Sequence, residues 1–587
     1  MNDYYFLKEK VKMTRIIKLT KSPYLYLLLY AILYTLVSQR SLQVEGAITD
    51  YYFHLGRMVG LAQSIKYGNW LPNLNEVFSY GVGYASAMFY GNWQFYIPAL
   101  FYIATEQATF SYSIFIFLLV LSSIWSTYLV FSRMSKDKQK GFWVAMTVPL
   151  VFHLFGYGMT MVVPLVPWLL YALYKVLYLD KKNPILLAVV IALLLQTHIL
   201  STVVLAISSI LFLLVNFNKI TLAKLLSFVI SAMLGLVLSS GYLFQYLEQT
   251  HSQAFFFSWH ERNFPFDSKS ILITHDFFKS FTSQVQMSSG KAPFDAIFKI
   301  ILLFLTICFT RLKDLSKKLL LVAWITLLAT SSILPWHSVF LHTFLASFQY
   351  STRLTFFVPL LLLLILANEW RVKYIRYFFV ISSLVFLWTI VINYNSTIDG
   401  KKSSSKYLTE TEKMMRSAYS GEYKEHVWSS GGEYYNIDAN PMDFSGEGIS
   451  EFSNLDNAEI SNIRRSYNNV EFDARIIDET QPASLVVPKV WYKGYQAAYS
   501  DGARGSKPKI KYVKRTKEEL KEMEKNKKPN NYKHAMYNGL IYLSLQSSGH
   551  VKLSYRRTPI QSFGFALETT SWLYVIAWTV YKRVKNH

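Results

Sequence analysis

The chain is short of charge. Only 17% of its 587 residues are Asp, Glu, Lys or Arg, against about 25% in a typical soluble domain. Most of these charges sit in a few blocks, and the long apolar runs between them point to a bilayer rather than to a large aqueous core. Cysteine is nearly absent. Cys308 stands alone inside an apolar run, so no intramolecular disulfide can form and any exported region must fold without one. No P-loop, G-x-S-x-G, H-E-x-x-H or C-x-x-C occurs, which removes the commonest soluble-enzyme sites. No internal repeat at a solenoid period is visible.

What the chain does have is apolar and aromatic: 52% of residues are hydrophobic and 17% aromatic. A spanning helix needs about 20 apolar residues. Candidate spans are 22–39, 111–132, 142–159, 161–178, 184–198, 200–215, 222–243, 294–310, 319–334, 353–368, 374–394 and 562–581. Two of them, 184–198 and 200–215, are short. The first follows Lys8, Lys10, Lys12, Arg15, Lys18 and Lys21, like a signal peptide. Ser38-Gln39-Arg40 then gives no small-x-small cleavage site, so a retained anchor is expected.

Charge gives an independent test. With the N-terminus inside, every second connection is cytoplasmic. Those connections hold Arg133, Lys136, Lys138 and Lys140; Lys181 and Lys182; Lys219 and Lys224; Arg311, Lys313, Lys317 and Lys318; and Arg371, Lys373 and Arg376. Lys582, Arg583 and Lys585 of the tail also fall inside. The alternation supports an even number of spans with both termini cytoplasmic. The expected fold is therefore a polytopic α-helical membrane protein of about twelve spans: a membrane module over 1–394, an extracytoplasmic, mixed, β-rich domain over 395–561, and a last helix with a basic tail over 562–587. Within the module, the first outer loop, about 40–110, is aromatic and reads as short helices along the membrane surface. In the outer domain, strands are expected over 470–476, 484–492, 540–545 and 551–555, with a Ser547-Ser548-Gly549 turn. The charged stretch from Lys507 to Lys533 reads as a solvated helix or mobile insertion.

Polar residues with chemical potential collect at the outer ends of the spans: Asp50, His54 and Arg57; His153; Thr197-His198; Glu248; His337, Gln349 and Arg353. Few ionisable residues lie at mid-span depth, where an ion-coupled transporter usually keeps them. A helix over 50–66 puts Asp50, His54 and Arg57 on one line, at i, i+4 and i+7. A carboxylate there suits a general base, and Arg with His suits a phosphate. The plainer reading makes Asp50 or Thr49 an N-cap and His54 and Arg57 the wet face of an interfacial helix. Arg353 could equally snorkel to the interface, and Thr197-His198 could be a polar turn. Glu45 and Asp50 could contribute to a divalent metal site, but no ligand cluster with metal spacing accompanies them. No cofactor is assigned, and the use of a metal stays open.

Asp50-x-x-Phe53-His54-Leu55-x-Arg57, Gly68-Asn69-Trp70-Leu71-Pro72, Gly81-Val82-Gly83-Tyr84, Phe89-Tyr90 and Tyr96-Ile97-Pro98-Ala99-Leu100 together resemble the first outer loop of YfhO-like proteins and of the membrane proteins labelled "6-pyruvoyl-tetrahydropterin-synthase-related". Both belong with GT-C-type glycosyltransferases. Gln196-Thr197-His198 continues the likeness, as does Phe348-Gln349-Tyr350-Ser351-Thr352-Arg353-Leu354. Trp491-Tyr492-Lys493-Gly494-Tyr495-Gln496-Ala497 and 551–558 resemble the family's β-rich domain. Ala85 stands where the family often has Pro, Tyr350-Ser351 replaces Phe-Pro, and Ile48 removes the Asp-x-Asp version.

The resemblance implies sugar transfer outside the plasma membrane from a polyprenyl-phosphate-linked donor, with inversion. Asp50 would be the general base. Arg57, Arg353, His54 or His198 would supply positive charge to the leaving phosphate, with Gln349 beside them. The acceptor would be a cell-wall glycopolymer or another surface glycan, the surrounding partner is membrane lipid, and no nucleic acid is expected. Two other classes remain open: a flippase for a lipid-linked sugar, and a non-catalytic scaffold for envelope assembly.

Overall fold

The structure is a computed structural model. It describes residues 22–45, 49–156, 158–257, 292–348, 350–395, 401–427, 429, 432–439, 452–500, 507–512, 517–518, 521 and 539–585. The helices between residues 23 and 395 are α1 (Pro23–Glu45), α2 (Thr49–Lys66), α3 (Tyr96–Thr105), α4 (Ala108–Ser135), α5 (Lys138–Phe152), α6 (Val166–Tyr178), α7 (Ile185–Thr197), α8 (Ile199–Leu214), α9 (Leu222–Val237), α10 (Ser240–Ser252), α11 (Ala292–Ile307), α12 (Asp314–Ala329), α13 (Val358–Glu369) and α14 (Val372–Asn395). A further helix, α15 (Lys401–Ser420), precedes eight strands, and α16 (Pro559–Lys585) closes the chain.

The fold is mostly helical with a separate β-sheet region. Among the described residues, four helical stretches are long and apolar enough to cross a membrane: Ala108–Ser135, Gly158–Tyr178, Ser351–Glu369 and Val372–Val391. A fifth is present if α9 and α10 count as one span. The expected span 222–243 is not straight, since α9 and α10 meet at 71°. The cause is local. Ser239 Oγ turns back onto Gly235 O at 2.9 Å, and Ser240 Oγ donates to Gly564 O of α16 at 3.0 Å, so two hydroxyls leave the helical ladder at the bend. Helices α7, α8, α11 and α12 are 13 to 16 residues long, shorter than a straight span needs.

The strands are β1 (Ser453–Asp456), β2 (Ala458–Ser466), β3 (Asn469–Ile476), β4 (Ala483–Val490), β5 (Tyr495–Tyr499), β6 (Lys509–Tyr512), β7 (Leu540–Leu545) and β8 (Gly549–Tyr555). They make two four-stranded antiparallel sheets, ordered β1-β4-β7-β6 and β2-β3-β8-β5. Alternate residues such as Val470, Phe472, Leu485, Val487, Leu543 and Val551 are buried in one shared core, as period-two patterning requires. The expected helix or insertion after Lys507 is corrected over Lys509–Tyr512. That segment is an edge strand, in which Ile510 pairs with Leu543 of β7.

Polar contacts fasten α15 and the strands to the preceding helices and loops, among them the following. Lys489 of β4 donates to Glu76 and, at 2.6 Å, to Gly81 O; both charged side chains are buried. Glu412 of α15 accepts the backbone N–H groups of Ala108 and Thr109 at 2.8 and 2.9 Å. It thereby caps α4, where a carboxylate meets the positive end of the helix dipole.

Candidate functional site

Helix α2 carries the first part of the site. Asp50 lies in its first turn and is exposed, where it favours the helix electrostatically. His54 and Arg57 follow on the same face but are only 2% and 1% exposed. The reading of these two as a wet interfacial face is therefore overturned. They are covered by the segment after α2. The Arg57 guanidinium lies between the rings of Tyr90 and Phe95, 4.7 and 4.8 Å from their centroids, a cation–π arrangement favoured in a desolvated site. Its Nη1 is 3.1 Å from His54 Nδ1, and its Nη2 donates to Gly91 O at 2.9 Å. The guanidinium is always a donor, so His54 Nδ1 is the acceptor.

The corner between α7 and α8 supplies the second part. His198 is the N-cap of α8. Its Nδ1 accepts from Ser201 N–H at 3.2 Å and lies 2.7 Å from Ser201 Oγ. That cap requires a neutral ring with its proton on Nε2. Burial pushes the His198 pKa down to about 3, with Arg353 and Arg57 adding to the effect. The His54 pKa is likewise lowered, by burial, then by Arg57 and His198. The His198 ring lies 5.5 Å from that of Tyr90. The corner is held by Trp93, whose Nε1 donates to Thr197 Oγ1 at 2.9 Å.

Arg353 completes the cluster. It sits in the short turn Ser351–Thr355 ahead of α13, half-buried, 5.5 Å from the centre of the Tyr350 ring. It is electrostatically coupled to His198, to Tyr90 and to Asp50. Asp50, His54, Arg57, His198 and Arg353 thus gather around Tyr90 from α2, the α7–α8 corner and the turn before α13. Gln349 lies outside the described residues. Glu248 belongs elsewhere: it accepts from Thr558 Oγ1 at 2.6 Å and pairs with Lys493 at 3.2 Å. His153 packs on the rings of Phe386 and Phe294, and His337 is exposed. Among the described residues no group of three or more His, Cys, Asp or Glu side chains comes together to hold a metal.

The segment 432–439, between α15 and the strands, brings a residue that sequence reasoning missed. The Tyr434 ring stacks on Phe89 at 4.5 Å and 15°, and its hydroxyl hydrogen-bonds Tyr90. Its backbone is pinned on both sides: N–H to Tyr84 hydroxyl at 3.1 Å, and carbonyl from Tyr492 hydroxyl at 3.0 Å. The Glu433 carboxylate beside it lies within electrostatic reach of Tyr84, Tyr90 and Tyr434. Nothing in the local sequence marks these two residues, because Tyr84, Phe89 and Tyr90, which give them meaning, lie more than 300 positions away. The arrangement is a cluster of two guanidiniums and two neutral imidazoles, largely buried, with an exposed carboxylate at its edge, a set of groups suited to an anion and to taking a proton from a neighbouring group. Comparison with family models, curated proteins and solved structures gives no match.

Proposed function

We propose that the chain is an integral membrane glycosyltransferase of about twelve spans with both termini cytoplasmic. It moves a sugar from a polyprenyl-phosphate donor to a cell-envelope glycan on the outer side. The observation that carries this reading is Arg57. Its guanidinium is buried, its hydrogen bonds go to a neutral imidazole and a carbonyl, and among the described residues no carboxylate pairs with it. Burying an ion costs several kcal/mol unless a counter-charge offsets it, and a phosphate would be that counter-charge. A second cation, Arg353, is coupled to the same His198. The span count follows from the basic connections together with the short apolar helices, which suit thin spans or cavity-lining ends.

In the proposed reaction, Asp50 takes the proton of the acceptor hydroxyl. The hydroxyl oxygen attacks the anomeric carbon from the face opposite the phosphate, so the configuration inverts. The bond between that carbon and the phosphate oxygen breaks, and the electron pair leaves on the polyprenyl phosphate. Arg57 and Arg353 stabilise the charge that develops there, and the His198 Nε2–H is a neutral donor to the same group. No step is routed through a metal. The test is purified protein in liposomes, given polyprenyl-phosphate sugars and an envelope glycan. The reading predicts free polyprenyl phosphate and a product of inverted anomeric configuration. Lipid translocation without transfer from any of several donors would replace this reading with a flippase.

A further inference from the structure

The last helix carries a buried-facing carboxylate that the proposed reaction does not use. Glu568 stands in α16, far from both helix ends, in a stretch read as membrane-spanning, where an ionisable residue is costly and needs a reason. Both of its oxygens are engaged by N–H donors. Oε1 accepts from Gln196 Nε2 at 2.8 Å, and Oε2 accepts from Gly241 N–H at 2.8 Å. Such hydrogen bonds to an ion are about twice as strong as neutral ones. The two helices can come this close because Gly241 of α10 and Gly564 of α16 lie where they meet, beside the α9–α10 bend. A Cβ on Gly241 would lie 2.9 Å from Glu568 Oε2, and one on Gly564 would lie 2.9 Å from Ser240 O.

Gln196 is the last residue but one of α7, two positions before His198. Its side chain goes to Glu568, and its backbone carbonyl goes the other way, accepting Gly91 N–H at 2.7 Å. The carbonyl of the same Gly91 accepts Arg57 Nη2 at 2.9 Å. One residue therefore joins the buried guanidinium to the α7–α8 corner. No larger residue can take its place, since a Cβ on Gly91 would stand 2.2 Å from Gln196 O. The series Glu568, Gln196, Gly91, Arg57 runs without a gap from the last helix to the anion site. At Gln196 it also fixes the end of the helix that presents His198.

We propose that Glu568 is a positioning residue for the anion site: by holding Gln196 it sets the Gly91 carbonyl that aims the Arg57 guanidinium at the donor phosphate. The inference rests on the phosphate-binding reading above. It gives the helix that follows the β-rich region a part in the site, beyond anchoring the chain. Glu568→Gln is the direct perturbation, because an amide has one acceptor where the carboxylate has two, and its NH₂ would face a donor. Gln196→Ala is the second, removing the side chain that Glu568 grips while leaving the backbone carbonyl in place. Tyr555→Phe is the control. It deletes another hydrogen bond to the same helix, Tyr555 hydroxyl to Gln561 Oε1 at 3.0 Å, outside the series.

The experiment measures binding of undecaprenyl phosphate to full-length protein in nanodiscs, beside the melting temperature of each variant. Glu568→Gln and Gln196→Ala are expected to bind about tenfold more weakly, the scale of one charge-assisted hydrogen bond. Tyr555→Phe is expected to bind like wild type, even if it melts lower. Wild-type affinity in either of the first two folded variants overturns the proposal. So does an equal loss in Tyr555→Phe, which would reduce the effect to helix docking. If wild type binds no polyprenyl phosphate, the phosphate reading itself fails and this inference goes with it.

Discussion

Replacing Arg57 by Met separates a binding residue from a structural strut. The side chain is 1% exposed, and burial holds the guanidinium pKa down to about 10, the surrounding tyrosines offsetting part of the effect. Methionine keeps the stem and most of the volume. Two terms then oppose each other. The Gly91 carbonyl and His54 Nδ1 lose the donors they have at 2.9 and 3.1 Å, a cost of about 1–3 kcal/mol each. The fold no longer carries a desolvated charge without a carboxylate, a relief of several kcal/mol. The net effect on stability is small or favourable, so the melting temperature is expected to stay within a few degrees of wild type. Phosphate affinity behaves differently. Two charge-assisted hydrogen bonds at about 1.5–3 kcal/mol each amount to about 3–6 kcal/mol, or about two to four orders of magnitude in Kd. Thermal unfolding in detergent and titration with polyprenyl phosphate read the two quantities separately. A variant that melts more than about 10 °C lower yet binds phosphate normally would refute the reasoning.

The two buried histidines predict an acid limit on stability. Folded His198 titrates at about 3, and the His54 pKa is lowered too, whereas an unfolded histidine titrates near 6.5. Between those values the unfolded chain holds more protons, so stability is complete above about pH 6.5 and falls as pH drops toward 3, by at most about 5 kcal/mol for His198 alone. Melting temperature against pH checks this, and a His198→Asn variant, which can still cap α8, should show a shallower fall. Separately, Lys489→Met leaves Glu76 buried without its cation. It should cost about 3–5 kcal/mol and speed proteolysis between α15 and the strands, while the double variant Glu76→Gln with Lys489→Met recovers most of the loss.

Much of the arrangement was legible in the chain, for physical reasons that differ by element. The helix over 50–66, the condition for setting Asp50, His54 and Arg57 on one line, is present as α2. Strands β3, β4, β7 and β8 followed from alternation, within two residues at each end. Hydropathy could not see the bend at Ser239 and Ser240, because two serines barely lower the mean of an apolar run while their hydroxyls redirect its backbone. Nor could it see that Arg57 is covered. Burial there is a tertiary property supplied by Tyr90 and Phe95, which lie more than 30 residues downstream. Gly91 and Glu568 were invisible for the same reason: a glycine is read locally as a turn, and a lone carboxylate in a terminal helix as a snorkelling charge. Only their shared contact with Gln196 gives them a role.

The central claim is that Asp50, exposed beside a largely buried cation cluster, takes the proton from the acceptor. Asp50→Asn tests it most directly, because the amide keeps the shape and cannot act as a base. Sugar transfer from a polyprenyl-phosphate donor is measured in reconstituted full-length protein, with donor binding followed in parallel. The account predicts that donor binding is kept within about threefold while transfer falls by at least the 10²–10⁴ typical of general-base loss. Transfer at the wild-type rate in Asp50→Asn would contradict it.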